Sequence, residues 1–569
     1  YSMIKVSDYV ARFLEQQGVT HVYELIGGMI THMIDSIHRA GRIRIVSLHH
    51  EQGAAFAADA MGRITGIPGV AMATSGPGAV NLLTGIGSCY FDSAPAVFLT
   101  GQVNRDEMRG DRPVRQLGFQ ETDIVTMARP ITKAAWLART PEEVPTLLAR
   151  AFALATHGRP GPVLVDLPMD VQRGLIPEPA SSIPVDSEAD RPVDVGKLWG
   201  DLAKAERPLV LAGGGVRSSR TRRELTAFVE RLGVPVVHSL MGVDLLPAGH
   251  ALRMGMIGTY GNRWANTALA QSDFVLVLGS RLDVRQTGAD TRSFKAGKTI
   301  YHVDVDAAET NNRVLGCNAI VGHLRDFFAT ALRSMPPSLP RRAAWHDEIE
   351  ALRSRWPDTA ELHGVPGINA NVLMHILSRC CADAAAYVAD VGQHQMWAAQ
   401  SLDLREDQSF LTSGGMGSMG FALPAAIGTA MATKRPVVMI AGDGGFQCNI
   451  QELQTVAQHR LPLRMVVVDN GCLGMVRQFQ ESYFEGRYQS TMWGYGAPDF
   501  VRVAEAYGIA GRAVLIPEDV EAAVLWLAQA QGPRLLHVKI DASANAYPKV
   551  AFGRPMSDME PGVKPTAME

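Results

Sequence analysis

Two short stretches carry oxygen donors at a spacing that suits a bound cation. The first, Gly442-Asp443-Gly444-Gly445, ends the apolar run RPVVMIA; the second, Asp469-Asn470, ends LRMVVV. Each run reads as a buried β-strand, and NIQELQTVAQHRLP between them has helical periodicity. Two parallel strands joined by a helix deliver their last residues to one sheet edge, where α/β folds bind ligands. A carboxylate and a carboxamide there suit Mg2+, a hard cation that keeps waters and takes further oxygens from bound phosphate. GDG alone reads equally well as a strand, an acidic turn and a helix. Asn470, 27 residues after Asp443, makes the pattern more specific.

The rest of the chain must hold these residues in place. At 569 residues with 47% apolar, it can fill several domain cores. A net charge of −3 argues against nucleic-acid or membrane-surface binding, which needs a basic excess or patch. The six cysteines lack metal-ligand spacing, and the adjacent Cys380-Cys381 lie in a helix-like stretch, so cysteine reads as packing material in a reducing cytosol. No apolar run is long enough to span a bilayer and no signal peptide is evident, so a soluble cytoplasmic protein is expected. Tyr1-Ser2 ahead of Met3 reads as an added remnant.

Residues 3–175 alternate helix and strand. KVSDYVARFLEQQG is an amphipathic helix stopped by Gly18, and VTHVYELIGG is a strand entering a glycine turn. RIRIVSLHHEQGAAFAADAMGRITG gives a strand, a polar crossing and a small-residue helix with Glu51 at its start. That position favours the Glu51 anion, and complementing the helix dipole would alone account for it. GVAMATSGPGAVNLLTGIGSCYFDSAPAVFLTGQV repeats the plan, with Gly76-Pro77-Gly78 opening the helix. A different unit fills 190–335, where RPLVLAGGGVRSS, SDFVLVLGSRLD and TIYHVDVDA are strands ending in turns. Its triple glycine is not GxGxxG, so no dinucleotide fingerprint is present and a ligand-free spacer domain is one reading. Pro-rich stretches at 174–195 and 335–343 read as linkers, a third domain covers 345–545, and the 546–569 tail reads as a frayed terminus. The expected class is α/β, with three domains of doubly wound, mainly parallel sheets.

The motifs HEQGAAFAADAMGRITG, TSGPGAVNLLTGI, FLTGQV, FQETDIV (119–125), GRPGPVLVDLPMDV (158–171), VGQHQMWAAQ (391–400), SGGMGSMGFALPAAIG (413–428) and GDGGFQCNIQEL (442–453) follow one another in order. In this they resemble the acetohydroxyacid synthase (acetolactate synthase) family of thiamine diphosphate (ThDP) enzymes. The resemblance implies that Asp443, Asn470 and the carbonyl of Cys472 hold Mg2+, and that Gly442, Gly444, Gly445 and Met475 also contact the cofactor. It implies that Glu51 hydrogen-bonds the aminopyrimidine N1′, that the Gly417 carbonyl takes the 4′-amino group, and that Met419 wedges between the rings. Gly28, Phe119, Gln120 and Phe479 would line the chamber where the second substrate reacts. His49 and His50 are not assigned an acid or base role. In the flavin-carrying branch, FAD would meet Arg159, the Gly213-Gly214 turn and the loops GMIGTYG (255–261), GSRLDVRQTG (279–288) and HVDVD (302–306), with Arg281, Arg285 and Asp304 among them.

Three positions depart from the family pattern: Val284 for an acidic residue, Met169 for the Lys of LPKDV, and Phe479 for a Trp that favours 2-oxobutyrate as acceptor. The activity implied is decarboxylation of pyruvate and transfer of the two-carbon unit to a second carbonyl, giving 2-acetolactate from two pyruvates. A keto-sugar, ketone or aldehyde acceptor, a pyruvate oxidase-like use of FAD, and a silent interaction subunit are the alternatives. Retention of Glu51, Asp443 and Asn470 together argues against silence. The resemblance also implies a homodimer or larger, because family members build each site from two chains.

Overall fold

The computed structural model describes residues 2–568 except 181, 182, 184, 186 and 187, so part of the expected 174–195 linker lies outside the described residues. Three six-stranded sheets organise the chain. After β1 (Met3–Lys5) come β2 (His21–Leu25), β3 (Arg44–Ser47), β4 (Gly69–Ala73), β5 (Ala96–Gln102), β6 (Ala134–Leu137) and β7 (Pro162–Pro168). They form the first sheet, all parallel, in the order β3-β2-β4-β5-β7-β6. β8 (Leu175–Pro177) then pairs antiparallel with β1, so the proline-rich stretch starts as an edge strand, where a missing N–H is tolerated.

The second sheet holds β9 (Pro208–Ala212), β10 (Val236–His238), β11 (Arg253–Met256), β12 (Phe274–Leu278), β13 (Thr299–Asp304) and β14 (Asn318–Val321). Its order is β11-β10-β9-β12-β13-β14, which reverses direction between β9 and β12, the switch point at which open α/β sheets bind ligands. The third contains β15 (Ala386–Ala389), β16 (Ser409–Thr412), β17 (Val437–Gly442), β18 (Leu463–Asp469), β19 (Ala510–Val514) and β20 (Arg534–Lys539), ordered β16-β15-β17-β18-β20-β19. The first and third sheets share one strand order, a repeat that residue-by-residue comparison does not reveal. Strands read as unbroken apolar runs because helices cover both faces; all seven residues of β5, of β7 and of β18 are buried.

The described chain divides into two compact units. The first contains the first sheet together with 413–437 and 448–463. In it the helix Glu51–Thr65 lies against the helix Ala422–Thr433. Alanines and Gly428 let the backbones approach, since a Cβ at 428 would collide with the Ala57 carbonyl, and Phe56 meets Phe421 edge-on at 5.4 Å. The second unit carries the other two sheets. One face of its central sheet packs Leu209, Leu211, Val275 and Val277 against Trp345 and Ile349 of the helix Ala343–Arg355. Val550, Met556 and Met559 join the same core from a hairpin of β21 (Lys549–Val550) and β22 (Met559–Glu560). The tail is therefore packed, not frayed, because it has apolar side chains to bury. Among the described residues, no helix is long and apolar enough to cross a membrane.

Candidate active site

In the second unit, β17 and β18 end side by side on Asp443 and Asn470. Asp443 is buried at the first turn of the helix Asp443–Gln447, and the Tyr495 hydroxyl donates to its Oδ2 at 2.7 Å. Burial pushes the Asp443 carboxyl up to about 6, against the Tyr495 hydrogen bond and with the Asp469 charge adding to the rise. Asp469 behaves in the opposite way. Burial works against its anion, but His537 at 2.7 Å and Lys539 at 3.0 Å hold the pKa down to about 2.

The Asn470 amide donates from Nδ2 to Gln393 Oε1 at 3.0 Å. Its Oδ1 then lies 3.0 Å from Asp443 Oδ1 and 2.8 Å from the Cys472 carbonyl. The Cys472 N–H donates to Asn470 Oδ1 at 3.3 Å, but no hydrogen lies between that oxygen and the Asp443 and Cys472 acceptors beside it. Turning the amide over would let Nδ2 donate to both oxygens; a cation would satisfy all three as they stand. In octahedral Mg2+ sites with bonds near 2.1 Å, neighbouring oxygens are about 3.0 Å apart. The donor set therefore fits Mg2+. Among the described residues no group of three His, Cys, Asp or Glu is placed to hold a metal, which leaves this mixed oxygen set as the candidate.

The glycines of the motif make room for its floor. A Cβ at Gly442 would lie 2.9 Å from His394 Nδ1, and one at Gly445 would lie 2.5 Å from Asp390 Oδ1. Gly444 is half-buried between them. Met475 is half-buried in the helix Gly474–Tyr483, and Phe479 on the same helix is 36% exposed, its ring 5.2 Å from Tyr483 and 5.4 Å from Phe484. Phe479 is thus not core packing.

Glu51, Gly417 and Met419 belong to the first unit. Glu51 opens its helix, buried, with Asn81 Nδ2 donating to Oε2 at 3.2 Å. His50 is the N-cap, its Nδ1 accepting from the Gln52 N–H at 2.9 Å, which accounts for that histidine without acid–base chemistry. The His49 N–H donates to Glu452 Oε1 at 3.0 Å. Gly53 leaves space for that carboxylate, since a Cβ there would lie 2.9 Å from Glu452 Oε2. Gly417 (φ +66°) and Met419 sit on an exposed loop that Asp92 anchors, accepting from the Gly414 N–H at 2.9 Å and the Gly415 N–H at 2.8 Å. The buried Arg63 neutralises Asp92 at 3.1 Å.

Gly28, Phe119 and Gln120 come to the carboxyl edge of the first sheet. The Met29 N–H, beside Gly28, donates to Thr74 Oγ1 at 3.2 Å, and a Cβ at Gly76 would lie 3.1 Å from Gln120. Gln102 ties down the following stretch by donating to the Thr122 carbonyl at 2.7 Å. Phe119 is 80% exposed on that loop.

Family models match three parts of the chain: the thiamine pyrophosphate enzyme N-terminal TPP binding domain (4–127), central domain (195–331) and C-terminal TPP binding domain (390–538). The chain is also similar to an acetolactate synthase of Arthrospira platensis, 37% identical with 96% of each chain covered. It is 37% identical to the acetolactate synthase isozyme 2 large subunit of Escherichia coli (97% and 98% covered). It is 36% identical to a probable acetolactate synthase large subunit of Methanocaldococcus jannaschii (100% and 96% covered). The chain belongs to the acetolactate synthase family of thiamine pyrophosphate enzymes.

In family terms the second sheet is the central domain. Gly213 caps the helix Gly214–Ser218 after β9, and a Cβ at Gly213 would lie 2.5 Å from the Gly279 carbonyl, so the two turns at the switch point are pressed together. Arg281 lies 3.7 Å from Asp283, and Arg285 stands over Tyr260 at 5.8 Å. Asp304 ends β13 and accepts from the Asp306 N–H at 2.9 Å. Among the described residues, two buried imidazole nitrogens on these strands, His238 Nε2 and His302 Nδ1, have no hydrogen-bond partner, which fits a polar ligand at this edge. Arg159 lies in the first unit, its Nε donating to Ser93 Oγ at 2.8 Å. Sequence reading missed Gln393, Gln478, Tyr495, Asp92 and Glu452. Asp92, Gln393 and Glu452 lay inside quoted stretches, and nothing in their spacing marked them.

Proposed function

We propose that this chain is a ThDP- and Mg2+-dependent carboligase that decarboxylates pyruvate and transfers the two-carbon unit to a second pyruvate, forming 2-acetolactate. The observation that carries the reading is the Asn470 oxygen set 3.0 Å from Asp443 Oδ1 and 2.8 Å from the Cys472 carbonyl, spacings that suit Mg2+ ligands, in a chain related end to end to acetolactate synthases. When bound, ThDP supplies the electron sink that lets a 2-oxo acid lose CO2. The protein's share is positioning and proton handling. Asp443, Asn470 and the Cys472 carbonyl would hold the cation, with Gly442, Gly444, Gly445 and Met475 about the diphosphate. Glu51 would hold a proton at the aminopyrimidine N1′; Asn81 takes its Oε2 and leaves Oε1 for that bond. Gly417 and Met419 would orient the rings from the loop that Asp92 anchors. Gly28, Phe119, Gln120 and Phe479 would line the acceptor chamber.

In this reading residues 3–175 bind the pyrimidine, 190–335 bind FAD, and 345–545 bind the diphosphate and metal, with 546–569 as a tail. FAD binding is supported by the switch point between β9 and β12 and by the buried, unpartnered His238 and His302 nitrogens; Gly213, Gly214, Arg159, Arg281, Arg285 and Asp304 would contact it. We read the enzyme as a homodimer or larger assembly. Six free cysteines suit a reducing cytoplasm, where we place it. The exposed ring of Phe479 favours a second reading of the acceptor alone, with a ketone, aldehyde or keto-sugar taking the two-carbon unit. Incubation with pyruvate, ThDP and Mg2+, with and without such carbonyl compounds, tests both. The first reading expects 2-acetolactate from pyruvate alone, and failure to form it in favour of an adduct with an added carbonyl would contradict it.

A further inference from the structure

The Asn470 amide can face either way, and only one way presents oxygen to a cation. The Cys472 N–H, donating to Asn470 Oδ1 at 3.3 Å, favours that way locally, and a buried row of side-chain amides behind Asn470 fixes it from the other end. Asn470 Nδ2 donates to Gln393 Oε1 at 3.0 Å, and Gln393 Nε2 donates to Gln478 Oε1 at 3.0 Å. Gln478 Oε1 also accepts from the Ala546 N–H at 2.8 Å, while its Nε2 donates to the Ala546 carbonyl at 3.3 Å. Gln393 and Gln478 are each 3% exposed, Asn470 8% and Ala546 0%, so water does not compete for these bonds.

The row ends on a backbone peptide, whose polarity is fixed: its N–H can only donate and its C=O can only accept. That fixes Gln478. With Gln478 Oε1 facing Gln393, Gln393 must donate there, so its own oxygen faces Asn470. Asn470 must then donate in turn, which aims its oxygen at Asp443 Oδ1 and the Cys472 carbonyl. Turning Asn470 over would set its oxygen against Gln393 Oε1 at 3.0 Å. Turning Gln393 as well only moves the conflict to Gln478, which cannot turn without losing both bonds to Ala546.

We propose that Gln478 is a positioning residue that, through Gln393 and against the Ala546 peptide, fixes the Asn470 oxygen toward the metal and so sets the affinity for Mg2+. The proposal rests on the ThDP–Mg2+ reading above. It also gives the segment after β20 a role at the metal site without any contact to the metal. Residues that hold a metal ligand in its orientation by a hydrogen bond are typically worth about 10–100-fold in metal affinity.

The test is calorimetric titration of Mg2+ into apoprotein at saturating ThDP, with thermal melts in the absence of Mg2+ to confirm folding. Gln478→Met keeps the length but breaks the row, and Mg2+ affinity should fall about 10–100-fold. Gln478→Glu loses the donor to the Ala546 carbonyl but still accepts from the Ala546 N–H and from Gln393, so it keeps the row's polarity and should lose less Mg2+ affinity than Gln478→Met. Should Gln478→Met not fold, Gln478→Ser, which also breaks the row, is read in its place. Wild-type affinity in the broken variant, or an equal loss in Gln478→Glu, overturns the proposal. Wild-type protein that takes up no Mg2+ with ThDP overturns the parent reading, and the relay with it.

Discussion

Replacing Phe479 by tryptophan should change which acceptor the enzyme prefers. The ring is 36% exposed, so a substrate can reach it, yet it already shares its surface with Tyr483 at 5.2 Å and Phe484 at 5.4 Å. 2-Oxobutyrate differs from pyruvate by one methylene. Full burial of that group is worth about 0.8 kcal/mol, roughly fourfold in rate, and pockets shaped around it reach about 1–3 kcal/mol, or 10–200-fold. A phenylalanine committed to two neighbouring rings should supply no more than the lower figure, so wild type should favour 2-oxobutyrate by less than about fourfold. The larger indole restores contact area, and Phe479→Trp should raise that preference by about four- to tenfold. The assay is competition: equal pyruvate and 2-oxobutyrate, with 2-acetolactate and 2-aceto-2-hydroxybutyrate separated and quantified. A wild-type preference above about twentyfold, within the range of a shaped pocket, would refute the reasoning. So would an unchanged product ratio in a variant that still turns over pyruvate.

Glu51→Gln keeps size and leaves the cation ligands alone but cannot exchange the N1′ proton, so turnover should fall about 10²–10⁴-fold while ThDP affinity, measured by fluorescence quenching, stays near wild type; undiminished turnover would remove Glu51 from the mechanism. Away from the site, His375 lies 2.6 Å from both Asp358 and Asp403; burial opposes its charge, but the two carboxylates raise its pKa from 6.5 to about 10. Because the folded value is the higher one, this stabilisation is complete below pH 6.5 and drains away as pH rises toward 10. Denaturant melts at pH 6 and pH 9.5 should therefore show His375→Gln losing more stability at the lower pH, and equal losses at both would contradict the assignment.

The strands and their turns were legible because parallel strands covered on both faces are written as apolar runs ending in glycine and acid, as in VVMIAGDGG and VVVDN. A helix end was legible for a similar local reason at Gly18, which takes a φ of +84°. What stayed hidden was the partnership of residues distant in sequence. Glu452 supports the His49 N–H across 403 positions, and Asp92 holds Gly414 across 322. Each is an acidic residue like any other until the fold supplies its partner. The shared strand order of the first and third sheets was hidden because strand order depends on apolar pattern and connection, which many residue choices satisfy. The tail was misleading for a compositional reason: its prolines and glycines read as loose, while Val550, Met556 and Met559 are buried.

The most direct test of the central claim is the stoichiometry of pyruvate consumption by the enzyme with ThDP, Mg2+ and FAD, followed with an oxygen electrode, CO2 trapping and product quantification. Carboligation predicts one CO2 and one 2-acetolactate for every two pyruvates, with no oxygen taken up. One CO2 per pyruvate, with matching oxygen consumption and no 2-acetolactate, would contradict it.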